Sequence, residues 1–152
     1  MIIGESVEGR AIWAFKVSDN PNVDEDEPEV LYTALTHARE PLGMMNLFYF
    51  LQRIAEAYQT DPELTYLINN REMWFIPVIN PDGYVYNESI QPDGGGMHRK
   101  NRLDTGCGDG TNRGVDINRN YGFGWGANNT GSSPNPCSTT FRGESEFSEP
   151  ET

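Results

Sequence analysis

Leu31-Tyr32-Thr33-Ala34-Leu35-Thr36-His37-Ala38-Arg39-Glu40 runs an apolar strand straight into two side chains of the kind that bind metals. Val30 to Leu35 is a short, largely apolar run of strand character. Pro41 stands where the first turn of a helix tolerates a missing N–H. With His37 ending a strand and Glu40 opening a helix, the two can meet at one ion. Zinc takes nitrogen and oxygen donors in a tetrahedral set, and a catalytic site draws three of them from protein and leaves the fourth position for water. A bare His-x-x-Glu is common by chance, so the rest of the chain has to decide what the pair means.

At 152 residues the length suits one domain. Hydrophobic residues make up 36% while 16 glycines and 10 prolines punctuate the chain, which points to a loop-rich globular protein with its core carried by few elements. A net charge of -12 argues against a nucleic-acid partner, which needs a basic face, and disfavours an anionic membrane surface. No run of apolar residues is long enough to span a bilayer. Met1-Ile2-Ile3 is too short for a signal peptide, so a secreted parent would carry its targeting segment elsewhere.

Upstream of the opening stretch, Ile12-Trp13-Ala14-Phe15-Lys16-Val17 is a strand candidate ended by the turn chemistry of Ser18-Asp19-Asn20-Pro21. The acidic run from Asp24 to Glu29 is read as a solvated loop, with calcium as the sharper alternative because clustered carboxylates suit that ion. Downstream, Met44, Leu47, Phe48, Leu51, Ile54, Ala55 and Tyr58 recur at helical spacing, with Asn46, Arg53, Glu56 and Gln59 on the other face. Asp61-Pro62 signals the start of a shorter helix closing near Asn69-Asn70. Met73 to Ile79 suits a strand buried on both faces, although Pro77 puts its last residues in doubt. Strand, helix, helix, strand in that order predicts an α/β fold with parallel neighbours in the sheet.

Asn80-Pro81-Asp82-Gly83 is a turn by composition, and regular patterning then fades from about Gln91 to Gly143. So long an irregular stretch is functional or disordered. Arg99, Lys100, Arg102, Arg113 and Arg119, five of the eleven basic residues of an acidic chain, concentrate between positions 99 and 119. Either they pair with the excess carboxylates, or they form a cluster that reads a carboxylate or phosphate through the bidentate guanidinium fork. Cys107 and Cys137 are the only cysteines, and without a Cys-x-x-Cys spacing they read as a disulfide in preference to a metal or redox site, two buried free thiols being the other reading. Closing that loop would contribute about 3 to 4 kcal/mol in the chain-entropy model and would suit an extracellular or periplasmic protein.

Taken together, His37-Ala38-Arg39-Glu40, Asn80-Pro81-Asp82-Gly83, Arg99-Lys100-Asn101-Arg102 and Gly114-Val115-Asp116-Ile117-Asn118-Arg119-Asn120-Tyr121 resemble the zinc metallocarboxypeptidases of the carboxypeptidase A and carboxypeptidase T type. Ser132-Ser133-Pro134 with Cys137, Phe141-Arg142-Gly143 and Ser148-Glu149-Pro150-Glu151 add to the likeness. The resemblance implies that His37 and Glu40 are two of three zinc ligands and that Asn118 and Arg119 bind the free C-terminal carboxylate of a peptide or protein substrate, with Arg39 assisting further out. It implies that Arg99 polarises the scissile carbonyl and stabilises the oxyanion and that zinc activates the attacking water; the parent is expected to be secreted or extracellular, as the cysteine pair suggests. The reaction would remove one residue from a polypeptide's C-terminus.

By the same resemblance the third zinc ligand and the general-base glutamate lie downstream of Thr152, and the family's first helix lies upstream of Gly4. Residues 1–152 are accordingly expected to be a single partial catalytic domain with a partial mixed or parallel sheet flanked by helices. Its strands and helices would occupy 11–79 and a substrate-binding loop region 80–143. A further helix would start at Ser148, where Ser148-x-x-Glu151 reads as a capping box. Such a piece would be inactive alone and would self-associate through its incomplete sheet. A carboxylate- or peptide-binding module without turnover and a related zinc deacylase are the competing functions. His98, the only other histidine, is expected to be an exposed side chain and not a ligand. Side-chain preference at the substrate C-terminus is not legible.

Overall fold

The computed structural model describes residues 1–152. Its first strands, β1 (Ile2–Glu5) and β2 (Ala11–Trp13), pair antiparallel, with an irregularity between Ile2 and Gly4. The single strand expected over 12–17 is broken at Ala14, whose N–H turns back to Met1 O at 2.9 Å. It resumes as β3 (Phe15–Val17) in a second sheet. That sheet has the order β3-β5-β4, where β4 is Glu29–Thr33 and β5 is Glu72–Ile76. β4 runs parallel to β5, with Tyr32 opposite Phe75, while β3 is antiparallel to β5. The fold is α/β with β4 and β5 parallel, as the element order predicts, and the antiparallel β3 makes the sheet mixed.

Two helices make the crossover between β4 and β5. α1 (Pro41–Ala57) carries proline in its first turn, and α2 (Pro62–Ile68) is capped by Asp61, whose Oδ1 accepts from Glu63 N at 2.9 Å and Leu64 N at 3.2 Å. The core is the cluster Ile54, Ile68, Met73 and Phe75, with Leu47, Phe50 and Leu51 packed on it. Tyr32 stacks on Phe75 at 5.0 Å and meets the edge of Phe50 at 5.7 Å. The buried stripe of α1 therefore runs through Phe50 and Ala57, and the expected Phe48 and Ala55 are exposed. Both choices fit a period near 3.6; the packing of Phe50 against Tyr32 and Phe75 selects between them.

β5 stops at Ile76, before Pro77, and not at Ile79. Asn80-Pro81-Asp82-Gly83 is no isolated turn but the start of α3 (Pro81–Ile90): Asn80 Oδ1 accepts from Gly83 N at 2.9 Å and Pro81 fills the first helical position. The 80–143 region thus opens with a helix before becoming irregular. At the chain's far end the expected helix start is one turn, closed by Thr152 N to Glu149 O at 3.2 Å. Ser148 Oγ is committed to Glu149 and Asn120, and Glu151 to Val7 N and Asn101, so no capping box forms. No helix is long and apolar enough to cross a membrane.

The acidic run is folded onto a partner inside the sheet. Glu72, buried on the central strand, receives Lys16 Nζ at 2.7 Å and Glu25 N at 2.8 Å on one oxygen. The Lys16 contact, helped by the Glu25 N–H, holds its carboxyl below the usual range. Asp24, Glu29 and Glu72 bring oxygens within 4.8 Å of one another. Lys16 already supplies the cation there, and the calcium reading gains no support.

Candidate metal and carboxylate-binding site

At the end of β4 the backbone turns through Leu35 in the left-handed region, φ 52°, a costly conformation for a buried leucine. It is held by Asn80 N donating to Leu35 O at 3.1 Å, and Ala34 is bonded on both sides to Ile76 and Ile79. This turn delivers His37 and Glu40 to one point: His37 Nδ1 and Glu40 Oε2 are 2.9 Å apart. Asn80 also donates through Nδ2 to Lys100 O at 2.9 Å, which brings in the loop carrying Arg99.

Asp116 joins these parts. Its carboxylate, fully buried between Val115 and Ile117, takes His37 Nε2 on Oδ1 at 3.2 Å and Arg99 Nε and Nη2 on Oδ2 at 3.1 and 3.0 Å. Burial pushes the Asp116 carboxyl up, but the contacts with His37 and Arg99 together outweigh it and leave the group below its ordinary range. Arg99 Nη1 lies 3.5 Å from Glu40 Oε1. The sequence reading passed over Asp116. A lone carboxylate between two buried aliphatic residues was the available signal, because such a group needs a charged partner.

Asp116 also caps a short 3-10 turn, Ile117–Arg119, that carries Asn118 and Arg119. These two line a cleft of about 420 Å³ walled by Tyr121, Phe123, Trp125 and the Thr130–Ser132 segment. Arg119 spends Nε on Gly131 O at 2.8 Å and Nη1 on Asn118 O at 2.9 Å. Nη2 is left for a ligand. Arg39 faces a separate groove with Tyr84, Glu88 and Asp93. Cys107 and Cys137 form the expected disulfide at the base of the loop region.

His98 is buried, contrary to the expectation of exposure. Its Nε2 faces Asn101 O at 3.0 Å and its main chain is bracketed by the Asn87 amide. Burial, opposed by the hydrogen bond to Asn101, lowers its pKa to about 4. The ring is thus a neutral packing element against Tyr86.

The donor chemistry fits zinc. His37 and Glu40 offer one nitrogen and one carboxylate at hydrogen-bond separation, and the second imidazole nitrogen is turned to a buried carboxylate, the arrangement that fixes the tautomer of a metal-binding histidine.

A His–Glu pair between strand and helix, a half-buried arginine beside it and a cleft lined from one 3-10 turn accord with the class that the comparison shows: residues 1–152 match the zinc carboxypeptidase family, and the chain belongs to it. It is 42% identical over 124 residues to the zinc carboxypeptidase of Saccharothrix mutabilis subsp. capreolus, covering 82% of this chain and 27% of that protein. It is 32% identical over 156 aligned positions to the inactive metallocarboxypeptidase of Talaromyces marneffei, covering 99% of this chain and 24% of that one. The crystal structure of carboxypeptidase A from Helicoverpa armigera superposes with a TM-score of 0.82 at 37% identity, over 99% of this chain and 34% of that chain. Residues 1–152 therefore span about a quarter to a third of the length of these relatives.

Proposed function

We propose that the protein is a zinc-dependent metallocarboxypeptidase that hydrolyses the last peptide bond of peptides or proteins, and that residues 1–152 supply part of its catalytic machinery. The observation that carries this reading is the position of Asp116: one buried carboxylate orients the His37 imidazole, grips Arg99 and starts the turn bearing Asn118 and Arg119.

His37 and Glu40 would hold zinc, which when bound polarises a carbonyl and lowers the pKa of a water. Asn118 and the free Nη2 of Arg119 would receive the substrate's terminal carboxylate, a planar acceptor that suits the guanidinium fork. Arg99, kept in place by Asp116, would donate to the oxygen that gains charge as the scissile carbonyl becomes tetrahedral. The Asn118–Arg119 pair favours a peptide acid over the substrates of a deacylase. The disulfide supports an oxidising compartment, hence a secreted protein.

The non-catalytic reading keeps one specific support: relatives at 32% and 35% identity are named inactive. The two are separated by following release of a free amino acid from acylated dipeptides by the full-length protein, with and without zinc and with His37→Ala. Zinc-dependent release abolished by His37→Ala is expected; retained binding of the peptide acid without release at any zinc concentration would favour the binding module.

A further inference from the structure

Lys100 is buried, and no carboxylate neutralises it by contact. Its ammonium instead spends all three N–H groups on main-chain carbonyls: Asn112 O at 2.5 Å, Ser138 O at 2.8 Å and Pro136 O at 3.2 Å. Burying a charge without a counter-ion is expensive. Burial lowers the Lys100 pKa to about 8, with Asp116 acting in the opposite sense.

The three carbonyls are not a random set. Pro136 and Ser138 flank Cys137, and Asn112 lies on the segment that begins at Cys107. Lys100 therefore joins the same two segments as the Cys107–Cys137 disulfide. From this clamp the contacts lead to the carboxylate cleft by two routes. Ser138 O also accepts from Phe141 N at 3.2 Å, and Phe141 O accepts from Asp116 N at 2.8 Å. On the other side Asn101 N donates to Val115 O at 3.0 Å and Asn101 Oδ1 accepts from Val115 N at 2.7 Å. Both routes end on the Val115–Asp116 step from which Asn118 and Arg119 emerge, and the Thr130–Ser132 wall continues into the clamped Pro136–Ser138 corner.

We propose that Lys100 is a positioning residue for substrate recognition: it clamps the disulfide-bearing segments so that Asn118 and Arg119 stand at a fixed offset from Arg99. The proposal rests on the reading of the cleft as a site for a terminal carboxylate. A neutral side chain of the same length removes the shared donor from Asn112 O and Pro136 O and leaves Ser138 O with Phe141 N alone, and the offset relaxes while the charged groups themselves are untouched.

The test compares the full-length zinc-loaded protein with its Lys100→Met and Lys100→Arg variants. N-acylated dipeptides ending in phenylalanine, arginine and alanine serve as probes, each as the free acid and as the C-terminal amide. Binding is read by calorimetry and, where turnover occurs, by KM and kcat separately. Lys100→Met is expected to weaken binding of the acids about tenfold with the amides unchanged, to raise KM more than it lowers kcat, and to speed hydrogen exchange at Val115–Arg119. Lys100→Arg, which keeps the charge and the donors, is expected to recover part of the loss. If the wild type prefers acids while Lys100→Met keeps the full preference and the same exchange rates, Lys100 is a packing residue and the proposal falls. If the wild type itself does not distinguish acid from amide, the carboxylate reading falls and the proposal with it. Should neither variant fold, exchange at Val115–Arg119 in the wild type above and below about pH 8 decides, and rates that follow intrinsic chemistry alone through that range overturn the proposal.

Discussion

His37 and Asp116, 79 residues apart in sequence, meet with the imidazole Nε2 3.2 Å from a carboxylate oxygen that no solvent reaches. The histidine is thereby fixed in tautomer and orientation by a group outside the motif that announces it. Replacing Asp116 by Asn keeps the shape but removes the charge from both His37 and Arg99. The expected result is a fall of about 10- to 100-fold in zinc affinity or in zinc-dependent hydrolysis, with the far-ultraviolet circular dichroism of the wild type retained. Zinc titration of the full-length protein checks it, and unchanged affinity would refute the role.

The Lys16–Glu72 pair makes a second prediction. Both side chains are largely withdrawn from water, so Lys16→Met leaves a carboxylate in the central strand without its cation. Tm is expected to fall more for Lys16→Met than for Lys16→Met combined with Glu72→Met, because the double variant buries no orphan charge. Additive losses in calorimetry would show that the pair is not coupled.

Gly114 sits at φ +95°, and a Cβ there would overlap Asn101 O. Gly114→Ala must distort the Val115–Asp116 step or push the Arg99–Asn101 loop away. A loss of at least about 2 kcal/mol in urea unfolding is expected, together with a weakened preference for peptide acids. A variant as stable as wild type would mean that the loop yields freely.

His98 predicts a pH dependence with a definite sign. Its folded pKa of about 4 lies below the ordinary 6.5, so on acidification the unfolded chain takes up the proton first. Its contribution is complete above the unfolded value and is lost progressively as pH falls from 6.5 towards 4. Wild-type stability should therefore decline more steeply than that of His98→Gln across this window in parallel urea titrations. Equal slopes would place the proton elsewhere.

Much of this arrangement is legible in local chemistry. The periodicity of α1, the Asp61-Pro62 cap and the apolar run before His37 each specify their element within a few residues, because each signal lies inside the element it defines. Asn80-Pro81 carries the same capping signal as Asp61-Pro62, yet Gly83 two residues on reads as a turn. Its reason is tertiary: a Cβ at Gly83 would lie 2.6 Å from Ala38 Cβ and 2.7 Å from Lys100 O, so glycine lets α3 approach the His37–Glu40 turn. The buried stripe of α1 lies a fraction of a turn from the one its periodicity suggests, because the pattern does not say which side chains meet Tyr32 and Phe75. Asp116 and Lys100 depend on partners 12 to 79 residues away, and His98 is buried by Asn87 and Tyr86 across the loop as well as by nearby Asn101, so nothing in their own neighbourhoods identifies the full set of partners.

The parallel pairing of β4 with β5 has a kinetic consequence. The ladder joins Glu29 to Glu72, so both intervening helices must be gathered before its first rung forms, and the His37–Asp116 contact closes a longer loop still. Contacts of this separation repay chain closure late. His37 and Glu40 are neighbours from the moment of synthesis, but the geometry that joins them to Asp116 is expected near the end of folding. If the pair holds zinc as proposed, an ion met earlier would find only an isolated tetrapeptide and would select the finished protein without hastening its formation.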